Sequence, residues 1–120
     1  EDLGHLNAHG TGTPANDATE SKALLALCGE EAGSRIPVTS VKGTTGHTLG
    51  AAGAIEAIVT ALSVMNDCVP PTAGFAEADP ECPVSVVAEA KTGYPQKVAL
   101  SNSLGFGGHS ASLAVSPYRA

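Results

Sequence analysis

With 120 residues, 42 % of them apolar but only 3 % aromatic and none Trp, the chain is long enough for one small domain with a core of Ala, Val, Leu and Ile. A net charge of -6, with only six Lys and Arg and no basic run, argues against nucleic acid or an anionic membrane surface as partner. No stretch reaches 18 uninterrupted apolar residues, and the opening residues show neither a signal-peptide pattern nor a Met, so a fragment, a processed product or a truncated chain is expected.

Leu3 to Ala8 reads as a short extended segment running into a polar loop, His9-Gly10-Thr11-Gly12-Thr13-Pro14. Asn16 or Asp17 is the expected cap of a helix with Glu20 in its first turn and a stop near Gly29. Pro37 to Val41 reads as a buried strand. Lys42-Gly43-Thr44-Thr45-Gly46-His47 then opens the most apolar helix, Thr48 to about Met65, expected to be buried on all sides. Glu56 is its one ionisable residue. Val84 to Val87, Lys97 to Asn102 and Ala111 to Val115 read as strands, the last two joined by a loop containing Gly105-Phe106-Gly107-Gly108-His109. This order predicts an α/β fold, a mixed β-sheet with packed helices including one buried central helix. Sites gather at the carboxyl ends of strands in such sheets, so the three polar or Gly-rich loops are expected to converge.

Among candidate chemical groups, His9 ends a strand beside the hydroxyls of Thr11 and Thr13, which can hydrogen-bond an amide-rich chain. Taken alone it reads first as a histidine satisfied by backbone groups, but its small neighbours leave the backbone open to a ligand. His47 is expected at the amino end of the long helix, where burial and the helix dipole favour a neutral imidazole, either an oxyanion donor or a cap. Lys42 and Glu56 both lie in apolar surroundings, and unless each reaches solvent it needs a partner, which predicts an ion network between them. Phe106 among glycines reads either as a lid or as the anchor of a tight turn. No GxGxxG occurs, and a dinucleotide site is rejected. Cys28, Cys68 and Cys82 are odd in number and form no CxxC, so reduced thiols of a cytoplasmic protein are expected and no zinc site is.

Three segments taken together carry a family likeness. His9-Gly10-Thr11-Gly12-Thr13 with Asn16-Asp17, Lys42-x-x-x-Gly46-His47-Thr48-x-Gly50-Ala51-Ala52-Gly53, and Asn102-Ser103-x-Gly105-Phe106-Gly107-Gly108 follow in order. They resemble the carboxy-terminal motifs of β-ketoacyl-[acyl-carrier-protein] synthases of the thiolase superfamily, in both fatty-acid and polyketide branches. Gly43 departs from the Ser usual in the family and Leu104 from the usual Phe, a hint of a specialised synthase.

The resemblance implies a thiolase-like half-domain. It implies a decarboxylative Claisen condensation of malonyl-carrier protein with an acyl thioester. His9 and His47 would stabilise the enolate, Lys42 would support the site with Glu56 in its ion network, Thr11 and Thr13 would bind phosphopantetheine, and Phe106 would gate the nucleophile. The partner would be an acyl carrier protein bringing the phosphopantetheine arm, with no cofactor of the chain's own and no metal. None of the three cysteines sits in the family's nucleophile motif. The chain alone is therefore expected to be inactive, an incomplete carboxy-terminal domain needing its amino-terminal half, a partner chain or a second copy as a homo- or heterodimer. Two alternatives stand beside this reading. One is a non-catalytic subunit or interaction module, against which retention of both histidines argues. The other is a small-molecule or metal-binding domain using His9, His47 and His109, which no ligand spacing supports.

Overall fold

The computed structural model describes residues 2–118. A five-stranded mixed sheet has the order β4 (Ser85–Val86), β2 (Pro37–Thr39), β1 (Leu3–Asn7), β6 (Val98–Gly105), β7 (His109–Val115). β1 is parallel to both neighbours, β2 is parallel to β4, and β6 pairs antiparallel with β7. β3 (Cys68–Val69) and β5 (Lys91–Thr92) form a separate antiparallel ribbon. The helices are α1 (Pro14–Cys28), the short α2 (Glu30–Gly33) and α3 (Lys42–Thr45), and α4 (Ala52–Met65).

Alternation along β1 assigns its two faces. Leu6, with Ala8 just beyond the strand, joins Leu24 of α1 and Val38 of β2 in the apolar core, against which Leu100 also packs. His5 and Asn7 point the other way, fully buried against α4. There the Asn7 amide donates to the Glu56 carbonyl and the Thr60 hydroxyl at 3.0 Å each. The interface between sheet and α4 is thus polar, and its hydrogen bonds offset the desolvation of those groups.

Three expectations change. α1 starts at Pro14 with Thr13 in the N-cap position, because proline at the first helical position has φ preset and needs no N–H partner. Asn16 lies inside the helix instead and donates to Glu20. The expected long helix begins as a 3-10 turn, Leu49–Ala51, before α4. Finally, α4 is not buried on all sides. Its buried residues are Ala52, Glu56, Thr60, Ser63 and Val64, while Ile58, Leu62 and Met65 are 60 %, 50 % and 76 % exposed. The polar side meets the polar sheet face and the apolar stripe is left to solvent in this chain. No helix among the described residues is long and apolar enough to cross a membrane.

Candidate active site

His9 follows the carboxyl end of β1 and His47 follows α3, which leaves the carboxyl end of β2. These parallel neighbours deliver both rings to the same end of the sheet, with centroids 5.3 Å apart and planes at 83°. Gly10 makes the turn after His9 with φ +47°. A Cβ there would lie 2.6 Å from Ser40 Oγ, so both the backbone angle and the space require glycine. The Ser40 hydroxyl donates to the Gly10 carbonyl at 2.7 Å, linking the two loops.

Lys42 is buried at the start of α3. Its ammonium donates to the His9 carbonyl oxygen at 2.5 Å, faces His9 Nδ1 at 3.4 Å and pairs with the Glu56 carboxylate. Both side chains of that pair are almost fully enclosed. Lysine has donors only, so His9 Nδ1 is the acceptor and the neutral ring carries its proton on Nε2. Burial, then the Lys42 charge, pushes His9 below its ordinary pKa, against smaller opposing effects of Glu20 and Glu56. His47 reaches the same tautomer by another route: the Leu49 backbone N–H donates to its Nδ1 at 3.2 Å. The burial expected of His47 is not found, because its ring is exposed and lines a cavity of about 550 Å³. Lys42, Thr11, Ser40 and the apolar Leu6, Leu24 and Val38 also line that cavity.

The other candidates are placed less centrally. The Thr11 and Thr13 hydroxyls are 3.2 Å apart, Thr11 on the cavity wall and Thr13 exposed. Phe106 is not brought to the histidine pair; it is 97 % exposed at the tip of the β6–β7 hairpin, and His109 is exposed beside it. Among the described residues no group of three His, Cys, Asp or Glu is placed to hold a metal. Cys28, Cys68 and Cys82 are half-buried free thiols.

Two residues went unread in the sequence. Glu20, expected only as an acid in a first helical turn, is 6 % exposed and accepts from the backbone N–H of His9 at 2.9 Å and of Gly10 at 2.8 Å. Its signal was faint: an acid on the helix face that also carries Ser21 and Leu24. His5 is fully buried, its Nδ1 3.4 Å from Ser63 Oγ and its Nε2 without a hydrogen-bond partner among the described residues.

Residues 1–76 match the family model described as beta-ketoacyl synthase, C-terminal domain. The chain is 45 % identical over 119 residues to a 3-oxoacyl-[acyl-carrier-protein] synthase 2 of Synechocystis sp., covering 99 % of this chain and 28 % of that protein. It is also 45 % identical over its full length to the protein of the same name from Staphylococcus aureus strain COL, 29 % of which it covers. The fold matches the ishigamide ketosynthase/chain length factor with TM-score 0.89 and 36 % identity, over 98 % of this chain and 28 % of that one. A ketosynthase solved in complex with its type II polyketide acyl-carrier protein and bound to the hexaketide matches with TM-score 0.87 and 37 % identity, over 98 % of this chain and 29 % of that one. The chain therefore spans less than a third of the length of the relatives it matches.

Proposed function

This chain belongs to the β-ketoacyl synthase family, and we propose that it supplies the two-histidine half of a decarboxylative condensing site. The observation that carries this reading is the His9–His47 pair, 5.3 Å between rings, each with Nδ1 occupied and Nε2–H free to donate. Two such donors suit one thioester oxygen that becomes an enolate. The bond to the malonyl carboxylate breaks and CO2 leaves with its electron pair remaining in the enolate. The enolate carbon attacks the acyl thioester, a C–C bond forms, and the nucleophilic cysteine departs as thiolate. Hydrogen bonds that strengthen as the oxyanion develops lower the barrier, and Lys42 keeps His9 neutral and its proton on Nε2.

The cysteine comes from an amino-terminal half outside this chain, and the substrate arrives on the phosphopantetheine arm of an acyl carrier protein. Thr11 and Thr13 hydrogen-bond the amides of that arm, and Phe106 closes on the nucleophile once the other half is present. The exposed apolar stripe of α4 supports a cover of that kind, whether the same polypeptide or a partner in a dimer.

The reading is tested on the intact enzyme that contains this chain, with acyl- and malonyl-carrier protein as substrates. β-Ketoacyl product should form, and His9→Ala or His47→Ala should each lower turnover by about 10²- to 10³-fold, the cost of one oxyanion donor. Undiminished product formation in both variants would leave only a non-catalytic relative.

A further inference from the structure

Cys82 lines the same cavity as His47 and Lys42, and Cys28 and Cys68 do not. All three thiols are free and half-buried, so exposure does not set Cys82 apart; its position does. The loop before β4 fixes that position. The Cys82 N–H donates to the Asp79 carbonyl at 2.9 Å, and the Val84 N–H donates to the Cys82 carbonyl at 2.7 Å. The thiol faces the Asp79 carboxylate at 4.0 Å. Much of the cavity wall is apolar, with Leu24, Val38, Val84 and Val86. Ser21 of α1 interrupts it: the residue is 5 % exposed, lines the cavity and makes no side-chain hydrogen bond among the described residues. A buried hydroxyl without a partner is costly, and this one opens on a space of about 550 Å³ where it is free to donate to a ligand oxygen. Charge narrows the ligand further. Asp17, Glu20, Glu77 and Asp79 line the cavity, while the Lys42 ammonium there is already paired with Glu56. Such a wall repels an anion and suits a neutral, apolar molecule with one acceptor. Reaction at the sulfur then depends on what the cavity holds against it.

We propose that Cys82 is a covalent modification site for neutral, apolar α,β-unsaturated carbonyl compounds, which the cavity holds by its apolar wall and the Ser21 hydroxyl, and whose adduct closes the histidine site. The reaction is a conjugate addition. The Cys82 sulfur bonds to the β-carbon as the C=C π bond breaks, and the proton lost from the thiol ends on the α-carbon. No oxidant or reductant is consumed. The adduct then fills space that His47 and Lys42 also line and keeps the malonyl thioester out. That last consequence, not the addition itself, rests on the two-histidine reading above.

The experiment uses the intact enzyme with its nucleophilic cysteine replaced by Ser, so that this residue does not compete for the reagent. Malonyl-carrier-protein decarboxylation remains readable, because CO2 leaves before the acyl thioester is attacked. Pentyl vinyl ketone is the probe, and peptide mapping by mass spectrometry gives the extent of labelling at each thiol. Cys82 should be labelled at least about tenfold faster than Cys28 or Cys68. The same ketone ending in a carboxylate should react about tenfold more slowly. Ser21→Ala should slow labelling by about two- to tenfold, the worth of one hydrogen bond. Decarboxylation should be lost in step with labelling at Cys82, and Cys82→Ser should keep the rate and lose the sensitivity. Equal labelling of the three thiols, or no preference for the neutral ketone, would overturn the site. Full labelling of Cys82 with decarboxylation unchanged would overturn its hold on the histidine pair. If His9→Ala and His47→Ala decarboxylate normally while Cys82 is still labelled selectively, the two-histidine reading fails and the modification site stands.

Discussion

Lys42 Nζ lies 2.5 Å from the carbonyl oxygen of His9 and 3.4 Å from the Nδ1 of the same residue, so one ammonium group holds both the backbone and the tautomer of that histidine. The cation is compensated by Glu56 on α4, in surroundings that exclude water from both partners. Removing one member strands the other. Lys42→Met is expected to destabilise the protein by about 3–5 kcal/mol, the cost of an uncompensated buried charge. Pairing it with Glu56→Leu should recover most of that loss without restoring activity. Urea denaturation of the single and double variants checks this, and equal destabilisation in both would contradict it.

His5 gives a pH dependence whose sign follows from burial. Desolvation pushes its pKa down from 6.5 to about 4. Between those values the unfolded chain binds a proton that the folded chain does not, so unfolding is favoured as pH falls. The contribution is fully present above the unfolded value and is lost as pH drops from about 6.5 towards 4, up to about 3 kcal/mol at one pKa unit per 1.36 kcal/mol. His5→Gln, which cannot take up that proton, should flatten this part of the stability profile. A wild-type profile retained in the variant would assign the acid sensitivity to another group.

The strand and loop order, the mixed sheet and the pairing of Lys42 with Glu56 could be anticipated from patterns local to each segment. What could not be read depends on which neighbour a side chain meets. α4 has apolar residues on every side in sequence, and only the polar face of β1, with His5 and Asn7, explains why Glu56, Thr60 and Ser63 turn inward. Glu20 looked like an ordinary helix-start acid because its partners, the His9 and Gly10 amides and Asn102, come from the loop after β1 and from β6. His5 passed as one more residue of a short strand, since alternation cannot say that both faces of the sheet are covered. Phe106 could be located only on its hairpin, where it is 97 % exposed.

Gly43 has a steric reason in this structure. Its backbone does not need glycine, as its φ is not positive. A Cβ would be driven into the Ala73 carbonyl, 2.9 Å from its carbon and closer still to its oxygen. The Thr72–Phe75 loop cannot easily retreat: the Thr72 N–H donates to the Val87 carbonyl at 2.7 Å and the Thr72 hydroxyl accepts from the Ser40 N–H at 3.1 Å. Gly43→Ser is therefore expected to cost about 1–3 kcal/mol, as overpacking does. Truncation of the loop by deletion of Ala73 and Gly74 in the same background should recover part of it. A Gly43→Ser protein that melts like the wild type would mean that the loop yields freely.

The apolar stripe of α4 distinguishes a chain that works alone from one that works covered. Ile58, Leu62 and Met65 lie at helical spacing on one exposed face, opposite Glu56, Thr60 and Ser63. An isolated helix face of this kind is indifferent to a charge, since a charged side chain there keeps its water. Against another protein layer the same charge is buried without a partner. Leu62→Asp should therefore leave the melting of the separate 120-residue chain nearly unchanged, within about 0.5 kcal/mol, the range for surface substitutions. In the intact enzyme it should destabilise by about 3 kcal/mol or more, as an unpaired buried charge does. Calorimetry of both forms decides the matter. Equal, small effects would mean that the stripe faces water in the complete protein as well, and the cover argued for the histidine pair would have to come from another direction.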